Sequence, residues 1–143
     1  MWTSRPIRAV LPPMTFRDVE LRMAVAYAEQ RVQFNRPIGS FQAIKHKCAD
    51  MAIAIDAAQA TVMYASLCAT EDNEEFPRVA VMARAQTAEC LNLCAAQNIQ
   101  IHGGIGFTWE ADPHLYLRPA KAVEPLFGDH AHHTELLAEL VGI

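Results

Sequence analysis

Ile44-Lys-His-Lys-Cys48-Ala-Asp-Met51-Ala52-Ile-Ala-Ile55-Asp-Ala-Ala58-Gln-Ala-Thr-Val62-Met63 sets apolar side chains at steps of three and four residues. Those steps follow the 3.6-residue turn of an α-helix, so Ile44, Cys48, Met51, Ala52, Ile55, Ala58, Val62 and Met63 form one stripe. Ser40 is placed to cap this helix, which the pattern carries to about Thr70. A helix this long with one apolar face has to bury that face against other elements. The rest of the chain supplies further helices to do it.

Upstream, Pro12-Pro13 is followed by Thr15 as an expected N-cap, with Asp18 in the first turn. Phe16, Val19, Met23, Ala26 and Tyr27 then keep a helical period. That helix is expected to stop in Gln33-Phe34-Asn35-Arg36-Pro37, because Asn35 tolerates a left-handed backbone and Pro37 blocks continuation. Downstream, Glu71-Asp-Asn-Glu-Glu75 reads as a solvated connector, and Pro77 suits the first turn of a third helix reaching about Ile101. Val79, Met82, Ala83, Leu91, Cys94, Ala95 and Ile99 mark its apolar face, and its many alanines allow close helix approach.

His102-Gly-Gly-Ile-Gly-Phe107 breaks the third helix, and Asp112-Pro113 opens a shorter one that Pro119 is expected to bend or end early. Gly128-Asp129 makes a turn before a last segment, from about His130 to Val141. There is no strand-period segment of useful length. The expected fold is all-α, an antiparallel four-helix bundle over residues 15–143, with 1–14 as a segment apart.

Half of the 143 residues are apolar, and the net charge of −4 is scattered without a basic stripe. Nucleic acid and membrane are therefore not expected as partners. The first residues carry too short an apolar run for a signal peptide, and no stretch is read as approaching the ~20 apolar residues of a membrane span. Cys48, Cys68, Cys90 and Cys94 form no CxxC pair and sit in apolar helical stretches. They read as small buried hydrophobes of a cytoplasmic protein.

Two segments combine unusual backbone with functional side chains. In Arg31-Val-Gln-Phe34-Asn-Arg36-Pro-Ile-Gly39-Ser-Phe41-Gln42, a guanidinium and an aromatic ring three residues apart would share a helix face. The fork of an arginine suits a diphosphate, a phenyl ring suits a planar base, and Gln42 could bond a nucleobase edge. Equally, Arg31 could be a surface charge and Phe34 a core plug. In Gln100-Ile-His-Gly103-Gly104-Ile-Gly106-Phe107, glycines at a helix end would expose amides to a phosphate, or simply make a sharp turn.

Together, Arg31-x-x-Phe34-x-Arg-Pro-Ile-Gly-x-Phe-Gln42 and Gln100-Ile-x-Gly103-Gly104-x-Gly106-Phe107-Thr-Trp-Glu110 resemble the acyl-CoA dehydrogenase family, from about Tyr27 to the C-terminus. Only the family's C-terminal bundle is matched. The resemblance implies FAD as cofactor, with Arg31 on the pyrophosphate and Phe34 against the adenosine end. Gln42, Gln100, Gly103 and Gly104 are expected at the same half of the cofactor. It also implies a homo- or hetero-oligomer, and acyl-CoA as substrate only in the full assembly. Asn35 departs from the usual glycine but can adopt the same backbone.

Family members remove the substrate α-proton with a carboxylate, often a glutamate just before the final helix. The corresponding stretch here is Pro125-Leu126-Phe127-Gly128-Asp129-His130, which puts Phe127 or Gly128 at the base position. Neither accepts a proton. Some relatives carry the base on the first helix, near Arg5 here, and Asp129 is a weak surrogate that could equally be a helix cap. The chain thus resembles the base-less subunit of heteromeric members, some of which act on steroid side-chain CoA thioesters. The alternative is a stand-alone, non-catalytic helical module that binds a partner subunit. His130, His132 and His133 read as a solvated turn rather than metal ligands, and His102 as packing or a flavin neighbour.

Overall fold

The computed structural model describes the backbone of residues 5–143 and the side chains of 18–122 and 128–143. Its elements are α1 (Arg5–Gln30), a two-stranded ribbon of β1 (Val32–Gln33) and β2 (Arg36–Pro37), α2 (Gln42–Thr70), α3 (Phe76–His102), α4 (Pro113–Phe127) and α5 (His130–Val141). Tyr27 near the end of α1 stacks on His102 at the end of α3, with ring centroids 4.2 Å apart. Those two helices therefore run the same way, with α2 antiparallel between them. The all-α bundle expected from the sequence is present, its fourth element divided at Gly128 into α4 and α5.

The central helix is α3, which packs against α1, α2, α4 and α5. Its buried positions include Ala80, Ala83, Ala85, Cys90, Cys94 and Ala95, side chains small enough for neighbours to approach from several sides. Ala24 and Ala28 of α1 join Met51, Ile55 and Ala58 of α2 and Cys90, Cys94 and Ile101 of α3 in the largest cluster. A second cluster joins Val62, Ala65 and Cys68 to Val79 and Ala83, and a third joins Leu91 and Ala95 to Ala120. Cys68, Cys90 and Cys94 are buried, and none of the four cysteines is in a disulfide. Burial pushes the Cys48 thiol up, which disfavours a reactive thiolate there.

Several boundaries differ from expectation. The first helix already includes Arg5, the first residue described, so Thr15 lies inside it rather than capping it. Pro6, Pro12 and Pro13 are all carried in the helix. The helix also stops at Gln30, earlier than expected, because the ribbon follows it. Ser40 does not cap α2: its hydroxyl donates to the Pro37 carbonyl at 2.7 Å, and Phe41 takes the N-cap position. Pro119 does not end α4. Leu115, whose carbonyl loses its usual partner to the proline, is half exposed, where water can replace that bond.

Met63 and Met82, expected in the core, are 72% and 42% exposed. A helical period defines a stripe only to within about one position, and both lie at its edge. His133, expected in a solvated turn, is buried. Finally, α2 is long and apolar enough to cross a membrane by length and composition, contrary to expectation. Alanine carries much of that apolar character, and one face of the helix is built into the bundle core.

Met51 is fully buried at the centre of the largest cluster. Met51→Ala should lower the unfolding free energy by about 2–5 kcal/mol, read from denaturant melts. At the other end of α2, the Tyr64 hydroxyl donates to Glu75 at 2.6 Å. That bond, followed by the neighbouring Cys68, pushes the Tyr64 phenol up to about 12. Ultraviolet titration should show one late-ionising tyrosine that moves back towards the ordinary range in Glu75→Gln.

Candidate functional site

Residues after α1 form a tight hairpin in which Val32 faces Pro37 and Gln33 faces Arg36. Its two turn residues, Phe34 (φ 52°) and Asn35 (φ 60°), are both left-handed, the requirement of a type I′ turn, whose twist matches that of the strands. The substitution of Asn35 for glycine is accommodated as expected. The left-handed Phe34 was not legible, since a bulky residue rarely takes this conformation. Arg31 and Phe34 consequently do not share a helix face. Arg31 lies just beyond α1, its carbonyl accepting from the Ile38 amide at 2.8 Å, and Phe34 sits at the hairpin tip.

Phe34 is 86% exposed, which removes the core-plug reading. The Arg31 side chain is exposed and forms no ion pair among the described residues. Gly39 ties the hairpin to α1, since a Cβ there would lie 3.1 Å from the Ala28 carbonyl oxygen. Two residues missed as site components support the tip. Phe41 meets Phe34 edge-on, with centroids 6.1 Å apart, and the Arg36 guanidinium lies 3.9 Å from the centre of the Phe41 ring. Gln42 is exposed in the first turn of α2, with its Nε2 3.5 Å from the His46 Nε2.

The Tyr27–His102 stack brings the end of α3 to this same end of the bundle. Gln100 is exposed on the last turn of α3, while His102 is buried with its Nδ1 2.8 Å from the Asn98 carbonyl oxygen. His102 therefore packs between the C-terminal ends of α1 and α3. Gly103 has φ 66° and ψ −143°, a backbone open only to glycine at low cost. Its amide is not free for a ligand, because it bonds the Ile99 carbonyl. Above Gly103 and Gly104 there is open space where a Cβ would stand. A free guanidinium, a projecting ring and an open glycine turn at one end fit the diphosphate and adenosine of a dinucleotide.

The turn between α4 and α5 holds Phe127 and Gly128, the residues at which the resemblance expects the base. The Phe127 side chain lies outside the described residues, as does that of Arg5. Gly128 has φ 87°, and a Cβ there would collide with the His132 ring and lie 3.3 Å from the His133 Nε2. The Asp129 carboxylate accepts from the His132 amide at 2.8 Å and caps α5. Among the described residues no cluster of three metal-ligating side chains occurs. Gly128→Ala should cost about 1–3 kcal/mol in equilibrium unfolding, because the backbone is strained for any L side chain.

The sequence matches the family described as acyl-CoA dehydrogenase, C-terminal domain, over residues 10–142. It is 49% identical over 100 residues to acyl-CoA dehydrogenase IpdE2 of Mycobacterium tuberculosis, covering 70% of this chain and 30% of that protein. Its fold superposes on butyryl-CoA dehydrogenase of Megasphaera elsdenii with TM-score 0.87 and 27% identity, covering 95% of this chain and 35% of that one. The ChsE4-ChsE5 complex of Mycobacterium tuberculosis gives TM-score 0.88 and 27% identity, covering 96% and 38%. The chain thus spans about a third of the length of these relatives, over the helical bundle carrying both motifs, and it belongs to the acyl-CoA dehydrogenase C-terminal domain family.

Proposed function

We propose that this chain is the C-terminal part of an FAD-dependent acyl-CoA dehydrogenase, where it clamps the ADP half of the cofactor and contributes an oligomer contact. The carrying observation is that α1, which leads into the Arg31–Gln42 segment, and α3, which leads into Gly103 and Gly104, are joined at their C-terminal ends by the Tyr27–His102 stack, so both segments leave the same end of the bundle. Arg31 would pair with the pyrophosphate through its fork, and the exposed Phe34 ring would pack on the adenosine end. Gln42 and Gln100 are exposed for polar contacts, and the bare backbone of Gly103 and Gly104 leaves room for the ligand. When bound, FAD would accept the hydride as an acyl-CoA thioester is dehydrogenated across its α,β bond.

In this reading the chain carries no base of its own. Asp129 supports that view, since its carboxylate is engaged in capping α5. The proton acceptor would come from a partner subunit, and the ChsE4-ChsE5 structure that this fold matches is itself a complex. An oligomer contact is supported by the outer face of α2, where Ile53, Met63, Tyr64 and Leu67 are exposed. Val62, Met63, Tyr64 and Leu67 line an open, largely apolar surface there. Monomers rarely expose so continuous an apolar strip.

Calorimetric titration of the chain with FAD, with FMN as control, tests the clamp. The expected result is binding of FAD alone, weakened by about tenfold or more in Arg31→Ala, the size of one lost charge-assisted contact. Uptake of neither nucleotide by a folded oligomer would instead mark a purely structural module. Sedimentation tests the second element: Met63→Lys with Leu67→Glu should shift an oligomer towards monomer while circular dichroism stays helical.

A further inference from the structure

We propose that Phe41 is a positioning residue of the nucleotide clamp, an inference that rests on the FAD reading above. Phe41 occupies the N-cap of α2 with extended backbone (φ −81°, ψ 134°) and makes no side-chain cap bond. Serine, threonine, aspartate and asparagine are the residues that satisfy an N-cap, so an aromatic here forgoes a stabilising hydrogen bond. Ser40, one residue earlier, does not replace it, because its hydroxyl turns back to the Pro37 carbonyl. Local rules broken in this way mark positions where another demand prevails.

The demand is visible in what the ring touches. The Arg36 guanidinium lies 3.9 Å from the ring centre, and the Phe34 ring meets Phe41 edge-on at 80°. The hairpin has only two facing residue pairs and holds Phe34 in a left-handed conformation, so backbone pairing alone leaves its tip weakly determined. Phe41 therefore anchors Arg36 and Phe34 to the first turn of α2. The projecting Phe34 is presented already placed, and less ordering remains when a nucleotide binds. The ligand class is the adenosine-diphosphate half of a dinucleotide; Phe41 acts on it only through Phe34 and Arg36.

The test compares the chain with Phe41→Leu, Phe41→Tyr and Arg36→Ala by calorimetry with FAD, thermal melting, and proton NMR of the Arg36 δ-methylene. In the unsubstituted chain the methylene should be shifted upfield by the ring. Phe41→Leu should return it to its ordinary position and weaken FAD binding by about tenfold, ~1.4 kcal/mol, with the bundle's melting unchanged. Phe41→Tyr should restore both. Arg36→Ala, at an exposed position, gives the binding comparison should Phe41→Leu fail to fold. Undiminished binding in Phe41→Leu, or failure of tyrosine to restore it, overturns the proposal. If the unsubstituted chain takes up no FAD, the clamp reading fails, and an unshifted Arg36 methylene then overturns the positioning role separately.

Discussion

Close approach of helices to α3 is the constraint on which the remaining structure depends. A helix touched by four others has little surface left for large side chains, and α3 meets this with alanine or cysteine at Ala80, Ala83, Ala85, Cys90, Cys94 and Ala95 among its buried positions. Small side chains bring the neighbouring backbones near, so larger residues from outside, such as Met51, Ile55 and Val62, fill the remaining space. The cysteines belong to this economy of volume. They pack as compact apolar groups, and burial keeps the Cys48 thiol protonated.

The same closeness creates the candidate site. Because α1 and α3 run parallel and in contact, their C-terminal ends emerge side by side, joined by the Tyr27–His102 stack. Each helix then ends in a device that turns the chain sharply: a type I′ hairpin after α1 and a glycine-initiated 3-10 turn after α3. Gly39 against Ala28 and Gly106 against Ile99 show both turns pressed onto helix backbone, with no room for a side chain between. The core thus holds two irregular segments in place, while the residues that face outward from them stay exposed.

The turn between α4 and α5 obeys different demands. Gly128 is excluded from carrying a side chain by its own backbone and by His132, and Asp129 is drawn into capping α5. The geometry there serves the junction of two helices. His133, buried against this turn, is part of that packing and not a solvated neighbour.

Periodicity determined the helices, because a stripe at steps of three and four can be buried in only one way, and Pro77 and the glycines after His102 marked ends that the structure keeps. The motif pair was legible for the same reason: arginine, glycine and aromatic residues in special backbone are few and distinctive. Tertiary structure decided the rest. Whether proline stops a helix depends on whether the freed carbonyl can reach water, which Pro119 in α4 illustrates. Whether Ser40 or Phe41 begins α2 depends on contacts made by a hairpin that no strand period announced. Above all, placing Arg31 and Gly103 at the same end of the bundle required α1 and α3 to lie parallel. That arrangement follows from how small residues let helices meet in space, a property of pairs of surfaces that no single stretch of chain contains.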